Sequence, residues 1–315
     1  MLLLPDAWVW DSWYLDDGDL VHAFYLKASR ALIDPDRRHH RAAIGHAVSA
    51  DLVTWQELPD ALVAAEAPAF DDLATWTGST VVGTDGGFHL FYTGICRQTG
   101  DRVQRIGHAT SSDLVTWTRI DAPAIEADAR WYETEAVGGF APWRDPWVFR
   151  DEAAGCWRML VTASTAEVAH GARGCIGTAV SDDLVSWRVE GPLTSPVGIH
   201  QFEVPQTITL DGRHVLVWCM RDVDLGPEAT PPEDGPAMTG TWSAPADSLS
   251  GPFHLDRAEP IRVPSTYAGR VVRNRSGRPQ LLAFADVGPD GFGGYLIDPV
   301  PLRLTDRGTL QPVSS

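Results

Sequence analysis

The chain has 315 residues, 44% hydrophobic and 21% charged, enough to bury a substantial core without help from metals or disulfides. Its 25 Lys and Arg stand against 42 Asp and Glu, a formal net charge of −17 that argues against nucleic acid or an anionic membrane surface as partner and leaves a neutral ligand unaffected. No apolar run approaches the length of a membrane span, and Met1–Pro5 lacks the basic flank and apolar stretch of a signal peptide, so the chain reads as cytoplasmic.

Taken in chain order, short β-prone runs bounded by Gly, Asp or Asn turn signals recur through the sequence. They are Val21–Leu26, Phe88–Thr93, Trp157–Thr162, His214–Cys219 and Gln280–Phe284. Behind the first comes Ile44-Gly-His-Ala-Val-Ser-Ala-Asp-Leu-Val-Thr-Trp55. Behind the second the same pattern returns as Ile106-Gly-His-Ala-Thr-Ser-Ser-Asp-Leu-Val-Thr-Trp117, and behind the third as Ile176-Gly-Thr-Ala-Val-Ser-Asp-Asp-Leu-Val-Ser-Trp187. A degenerate copy, Thr241–Phe253, follows the fourth. Each copy reads as a strand, a turn centred on Ser and Asp, and a strand opened by an aromatic. No segment sustains a helical period.

A unit of about four short strands repeated five times specifies an all-β, five-bladed β-propeller. Residues 1–315 are expected to form one such domain, with no C-terminal β-sandwich. Trp55, Trp117 and Trp187 are expected to pack between blades. Cys96, Cys156, Cys175 and Cys219 show no metal spacing and read as buried free thiols of a reducing compartment. The repeat-equivalent His46 and His108 read as structural, Arg37–Arg41 as a solvated loop that could reach the mouth of the funnel, Asp16–Asp19 as a hairpin turn and Gly226–Pro236 as a mobile loop near the site. Neither a metal nor a cofactor is expected.

The innermost strand of each blade lines the central funnel, so the segments just before the five runs are where reactive groups belong. Three carry an acid among aromatics and prolines: Trp10-Asp11-Ser12-Trp13, Arg144-Asp145-Pro146-Trp147 and Gln201-Phe202-Glu203-Val204-Pro205. They are read as equivalent places on three blades. The second blade offers Trp76-Thr77-Gly78-Ser79, which has no carboxylate. Glycosidic cleavage asks for such a set, because its oxocarbenium-like transition state needs one carboxylate to attack or to activate water and a protonated partner to donate to the leaving oxygen. Burial and neighbouring carboxylates can keep that partner protonated near neutral pH.

These motifs resemble glycoside hydrolase clan J, families 32 and 68, the invertases, fructan hydrolases and levansucrases. Trp10-Asp11-Ser12-Trp13 is similar to the nucleophile motif of family 68, Trp76-Thr77-Gly78-Ser79 to its Trp-Ser-Gly-Ser segment, Arg144-Asp145-Pro146 to the Arg-Asp-Pro of both families, and Glu203-Val204-Pro205 to the Glu-x-Pro acid/base motif. The resemblance implies that Asp11 is the nucleophile, Glu203 the general acid/base, and Asp145 the group that holds sugar hydroxyls. It places Trp10, Trp13, Trp76, Thr77, Arg144, Gln201, Arg221 and Tyr267 at the substrate. The implied reaction is retaining cleavage of a small β-fructofuranoside or fructo-oligosaccharide through a furanosyl–Asp11 intermediate. The Asn-Asp-Pro-Asn-Gly motif of family 32 is absent, and the chain is shorter than a typical levansucrase. Three alternatives stay open: an inverting arabinofuranosidase or xylosidase similar to families 43 and 62, a fructosyltransferase, and a non-catalytic sugar-binding propeller.

Overall fold

A computed structural model describes residues 1–134, 141–166, 172–226, 238–289 and 291–313. The fold is the five-bladed β-propeller that the repeats specify, each blade a four-stranded antiparallel sheet. Blade one comprises Ala7–Asp16, Val21–Ser29, Ala43–Ser49 and Gln56–Leu62; blade two, Ala74–Val82, Phe88–Cys96, Gly100–Ser111 and Thr118–Arg119. Blade three is built from Trp143–Asp151, Cys156–Ser164, Gly174–Ser181 and Arg188–Glu190, and blade four from Glu203–Leu210, Arg213–Met220, Gly240–Ala246 and Glu259–Pro260. Thr266–Arg273, Pro279–Ala285, Val300–Leu304 and Leu310–Pro312 form blade five. The ring closes where Leu2 exchanges both backbone hydrogen bonds with Leu296 at 3.0 Å and Val9 N–H donates to Gly294 O at 2.9 Å.

The repeated dodecamer forms the third strand of a blade and the turn leading out of it. In copy one Ser49 Oγ accepts from the Leu52 N–H at 2.8 Å, and Asp51 Oδ1 accepts from Val53 and Thr54 N–H at 2.9 and 2.7 Å. The Asp113 and Asp183 turns repeat the two carboxylate bonds, and Ser181 Oγ repeats the first on the Leu184 N–H at 2.9 Å. The side-chain bonds hold the central leucines, Leu52, Leu114 and Leu184, at φ of 66°, 62° and 65°, a region a branched residue rarely enters unaided. The following tryptophan donates its indole N–H back to that leucine's carbonyl in each copy.

Fixed in this way, the tryptophans do pack between blades. Trp117 of blade two stands edge-on to Phe24 of blade one at 5.6 Å, and Trp187 of blade three repeats the contact on Phe91 of blade two at 5.3 Å. Trp55 packs with Val21, Leu52 and Leu282, joining blades one and five. The repeat histidines are structural as expected: His46 accepts or donates across 2.9 Å to His22 and stacks on Phe24, while His108 does the same with His89 and Phe91. All four cysteines are free; Cys96, Cys175 and Cys219 are buried and Cys156 is half-buried. Asp16–Asp19 is the hairpin turn anticipated, with Asp16 and Asp17 carboxylates accepting from the backbone of Gly18, Asp19 and Leu20. The loop reading for Gly226–Pro236 falls, beyond Gly226, outside the described residues. Among the described residues no helix is long and apolar enough to cross a membrane.

One feature of the inner strands sets up the site. In all five blades the inner strand carries one residue more than its partner at the same height, a β-bulge. A bulge breaks the ladder and turns a side chain out of the regular alternation. The residue entering it is Trp10, Trp76, Arg144, Glu203 and Tyr267 in turn, paired with Leu26, Thr93, Thr162, Cys219 and Phe284. The next residue is Asp11, Thr77, Asp145, Val204 and Ala268. In the last three blades that residue has φ of 58°, 52° and 49°, a left-handed conformation that costs energy outside glycine. Pro146 and Pro205 follow two of these, at a height where the ladder needs no N–H.

Candidate active site

The two rings of bulge residues face one pocket of about 590 Å³ at the axis. All five residues of the first ring line it: Trp10, Trp76, Arg144, Glu203 and Tyr267. Asp11, Thr77, Asp145 and Val204 of the second ring line it too. The bulges therefore correct one expectation. Asp11 and Asp145 occupy equivalent positions, but Glu203 stands one residue earlier, at the height of Arg144, and Val204 takes the place of an acid. Thr77 is the blade-two counterpart of Asp11.

Each carboxylate has its own donors. Asp11 Oδ2 accepts from Thr77 Oγ1 at 2.5 Å. Asp145 Oδ2 accepts from Thr162 Oγ1 at 2.8 Å and from the Val204 N–H at 3.1 Å, and lies 3.4 Å from Arg144 Nε. Glu203 accepts from Arg144 Nη2 on one oxygen and from the Tyr267 hydroxyl on the other. A single guanidinium thus touches both Asp145 and Glu203, the fork geometry for which arginine is suited.

Crowding three buried carboxyls shifts their protonation. Burial, then the charges of Asp145 and Glu203, raise Asp11 to about 7, against the Thr77 hydrogen bond and Arg38. Asp145 is also raised, by burial first and Glu203 next, with Arg144, Thr162 and the Val204 N–H opposing. Burial works against the charge of Arg144, but Asp145 and Glu203 outweigh it and hold the guanidinium firmly protonated. Tyr267 is pushed well above its ordinary value by burial and by Glu203, so its hydroxyl stays a donor.

Nine of the eleven residues singled out in the sequence line this pocket: Asp11, Asp145, Glu203, Trp10, Trp76, Thr77, Arg144, Arg221 and Tyr267. Two do not. Trp13 is fully buried, stacks on Phe24 at 6.1 Å and donates its indole N–H to Thr80 at 3.1 Å; beyond the bulge the strand alternates again and turns it between blades one and two. Gln201 lies behind the wall, accepting from Arg144 Nη2 at 2.9 Å, so it holds the arginine and does not face the cavity. Arg221 stands at the rim, bidentate to Asp286 at 3.0 and 3.1 Å and 4.2 Å above the Tyr267 ring.

The sequence reading missed Arg38. The 3₁₀ helix Pro35–Arg41, inserted between the second and third strands of blade one, carries it into the pocket. Arg38 is buried, 5.5 Å over the Trp10 ring and 3.9 Å over Phe292 of the small hairpin Val287–Gly288 and Gly291–Phe292 in blade five. The helix docks where Trp76 donates to His39 O at 2.7 Å. Arg37, His39, His40 and Arg41 are exposed, as the loop reading required, although His39 and His40 border the pocket mouth. Pro at the helix start and Asp34 capping the Asp36 N–H are local signals for this turn; nothing local marks which of its basic residues turns inward.

A five-bladed propeller with a carboxylate cluster in an aromatic-lined axial pocket defines a glycosidase-type enzyme. Residues 18–288 match the glycosyl hydrolases family 32 N-terminal domain, and the chain belongs to that family. Among curated proteins it is similar to the levansucrase of Erwinia amylovora, 25% identical over 97% of this chain and 82% of that protein. It is likewise similar to levansucrase LscA of Pseudomonas savastanoi pv. glycinea, 28% identical over 72% of this chain and 58% of the relative. The sucrose-6-phosphate hydrolase of Bacillus subtilis is 31% identical over 55% of this chain and 34% of its own length. Among solved structures, the inulosucrase from Halalkalicoccus jeotgali bound to kestose superimposes with a TM-score of 0.77 at 22% identity, covering 98% of this chain and 89% of that one. The fructan 1-exohydrolase IIa of Cichorium intybus gives 0.69 at 18% identity, over 99% of this chain and 59% of its own. The chain thus spans less than two thirds of several of these relatives.

Proposed function

We propose that the chain cleaves the furanosidic bond of a small β-fructofuranoside with retention of configuration. The observation that carries this reading is the convergence of Asp11, Asp145 and Glu203 on one pocket with Trp10, Trp76 and Arg144. In the proposed reaction Asp11 attacks the anomeric carbon, Glu203 protonates the leaving oxygen, and the furanosyl–Asp11 ester is hydrolysed by water that Glu203 deprotonates. Asp145, held by Thr162, Val204 N–H and Arg144, takes sugar hydroxyls and stabilises the oxocarbenium charge. Productive cleavage requires the Asp11 anion and a proton on Glu203; burial and the neighbouring acids hold Asp11 at about 7, so the nucleophile is formed above that pH. The relatives named levansucrase, inulosucrase and sucrose-6-phosphate hydrolase support a fructoside as substrate.

The test is a panel of sucrose, levanbiose, inulobiose and aryl arabinofuranosides, with anomeric configuration followed by NMR during turnover. Cleavage of fructosides with retention supports the reading. Inverted products, or turnover of the arabinofuranosides alone, would overturn it. Product analysis at high sucrose separates hydrolysis from fructosyl transfer, since only transfer yields longer fructosides.

A further inference from the structure

Among the described residues Arg270 is the one buried arginine or lysine outside the pocket, 1% exposed, on the inner strand of blade five just past its bulge. Its Nη1 donates to two consecutive carbonyls of blade four, Val204 at 3.1 Å and Pro205 at 2.6 Å. Those are the residues of the bulge that follows Glu203, where the ladder between Glu203 and Gln206 is interrupted. The same Val204 donates its N–H to Asp145. The guanidinium lies 5.0 Å over the Trp147 ring and makes no ion pair among the described residues. Its Nε and Nη2 find no hydrogen-bond acceptor there either.

Such a group calls for an account, because an unpaired buried charge is costly. In blade two the bulge carbonyl of Thr77 is satisfied by the neutral hydroxyl of Thr93. In blade four a single cation takes two consecutive bulge carbonyls. Burial lowers Arg270 to about 10, and the groups that oppose this are Asp145, Cys219, Asp11 and Tyr14. Around Asp11 itself stand Asp145, Glu203, Arg38 and the Thr77 hydroxyl. Asp145 and Asp11, across the bulge, thus help to keep Arg270 charged.

We infer that Arg270 is a positioning residue of the active site: it clamps the Val204–Pro205 bulge, and through that bulge it sets Glu203 and the Val204 N–H that Asp145 accepts. The inference deepens the proposed function, and it can be tested on a readout that does not need turnover. Asp11 is titrated by ¹³C NMR on selectively labelled protein, assigned through the Asp11→Asn spectrum, in the wild type, Arg270→Met and Arg270→Lys. In Arg270→Met the Asp11 midpoint is expected to rise by about one pH unit, since a cation that favoured the anion has gone. In Arg270→Lys the midpoint should stay near the wild-type value while kcat on the best furanoside drops about tenfold or more, because the lysine stem is one bond shorter than arginine's reach to Nη1 and gives up the planar contact over Trp147, so the ammonium does not hold both carbonyls in place. A merely structural Arg270 would lower the melting temperature without moving the midpoint, and that result overturns the positioning role. Wild-type kcat in Arg270→Lys overturns the clamp. Should Arg270→Met fail to fold, the Lys variant alone decides, by kcat against thermal stability. If no furanoside is turned over by the wild type, the proposed function has failed, and the Asp11 midpoint still reports on Arg270.

Discussion

Thr77 and Asp11 occupy the same bulge position on neighbouring blades and are joined by a hydrogen bond of 2.5 Å from hydroxyl to carboxylate. The site is therefore asymmetric by substitution within a symmetric frame. Where blade one has an acid, blade two has the donor that favours its anion. The bond opposes burial and two other acids, which together still leave the carboxyl at about 7.

Removing that donor should raise Asp11 further. Thr77→Val keeps the shape and loses the hydroxyl, so the acid limb of kcat/KM is expected to move up by about one pH unit, with activity at pH 6 reduced about tenfold. An acid limb that stays in place would show that Asp11 is not the group whose ionisation limits the reaction.

Arg38 closes the pocket from an inserted helix, over Trp10 and against Phe292. Its charge also favours the Asp11 anion. Arg38→Ala removes both the wall and the charge, and kcat/KM is expected to fall about tenfold to a hundredfold, with KM carrying much of the loss. Arg37→Ala, one residue away and exposed, should leave both constants within about twofold of wild type. Equal losses in the two variants would mean that the helix as a whole, and not Arg38, shapes the site.

Trp13 carries a different consequence. Because it is sealed between blades one and two, Trp13→Ala should destabilise the fold by about 3–5 kcal/mol, read from denaturant unfolding. Trp13→Phe is expected to keep the wild-type KM. A raised KM in that conservative variant would restore the substrate contact that the sequence motif implied.

Much of this was legible in the chain because its causes are local. The Ser-x-Asp-Leu-Val-x-Trp turn carries its own hydrogen bonds and its own left-handed leucine, so three copies could be read as three equivalent turns before any packing was known. The inner-strand acids were legible by position relative to those turns. What escaped was set by tertiary contacts. A bulge shifts register by one residue without a sequence signature of its own, which is why Glu203 looked equivalent to Asp145 and Trp13 looked like Trp10. Arg38 and Arg270 are buried by elements far away in sequence, Phe292 in the first case and Val204 and Pro205 in the second.

The two stacked histidine pairs predict an acid-labile fold. Burial lowers His46 to about 4 and His108 to about 3, each with a further push from its partner histidine. Both are neutral in the folded state, while the unfolded chain binds protons from about pH 6.5 downward. Their contribution is thus complete above that value and is lost as pH falls from 6.5 toward 4. By pH 5 each would withdraw up to about 2 kcal/mol, and unfolding in urea at pH 7.5 and pH 5 measures the sum. His46→Gln and His108→Gln should each flatten the pH dependence; an undiminished dependence would assign acid lability elsewhere.

Asp11 works in the opposite sense. Its carboxyl is raised from an ordinary 3.8 to about 7, so the folded state binds a proton more tightly than the unfolded one. The stability this gives is present below about pH 4 and is lost as pH rises through 7, where the buried anion must be carried. Asn has the same shape, does not titrate, and still offers Thr77 an acceptor. Asp11→Asn is therefore expected to be more stable than wild type by about 1–3 kcal/mol at pH 7.5, with the difference closing below pH 4. The same variant should lose at least about a thousandfold in kcat if Asp11 is the nucleophile. Gain of stability with loss of turnover is the signature of a group kept for chemistry at the expense of the fold; a variant that lost turnover and also unfolded more readily at neutral pH would instead make Asp11 a structural anchor.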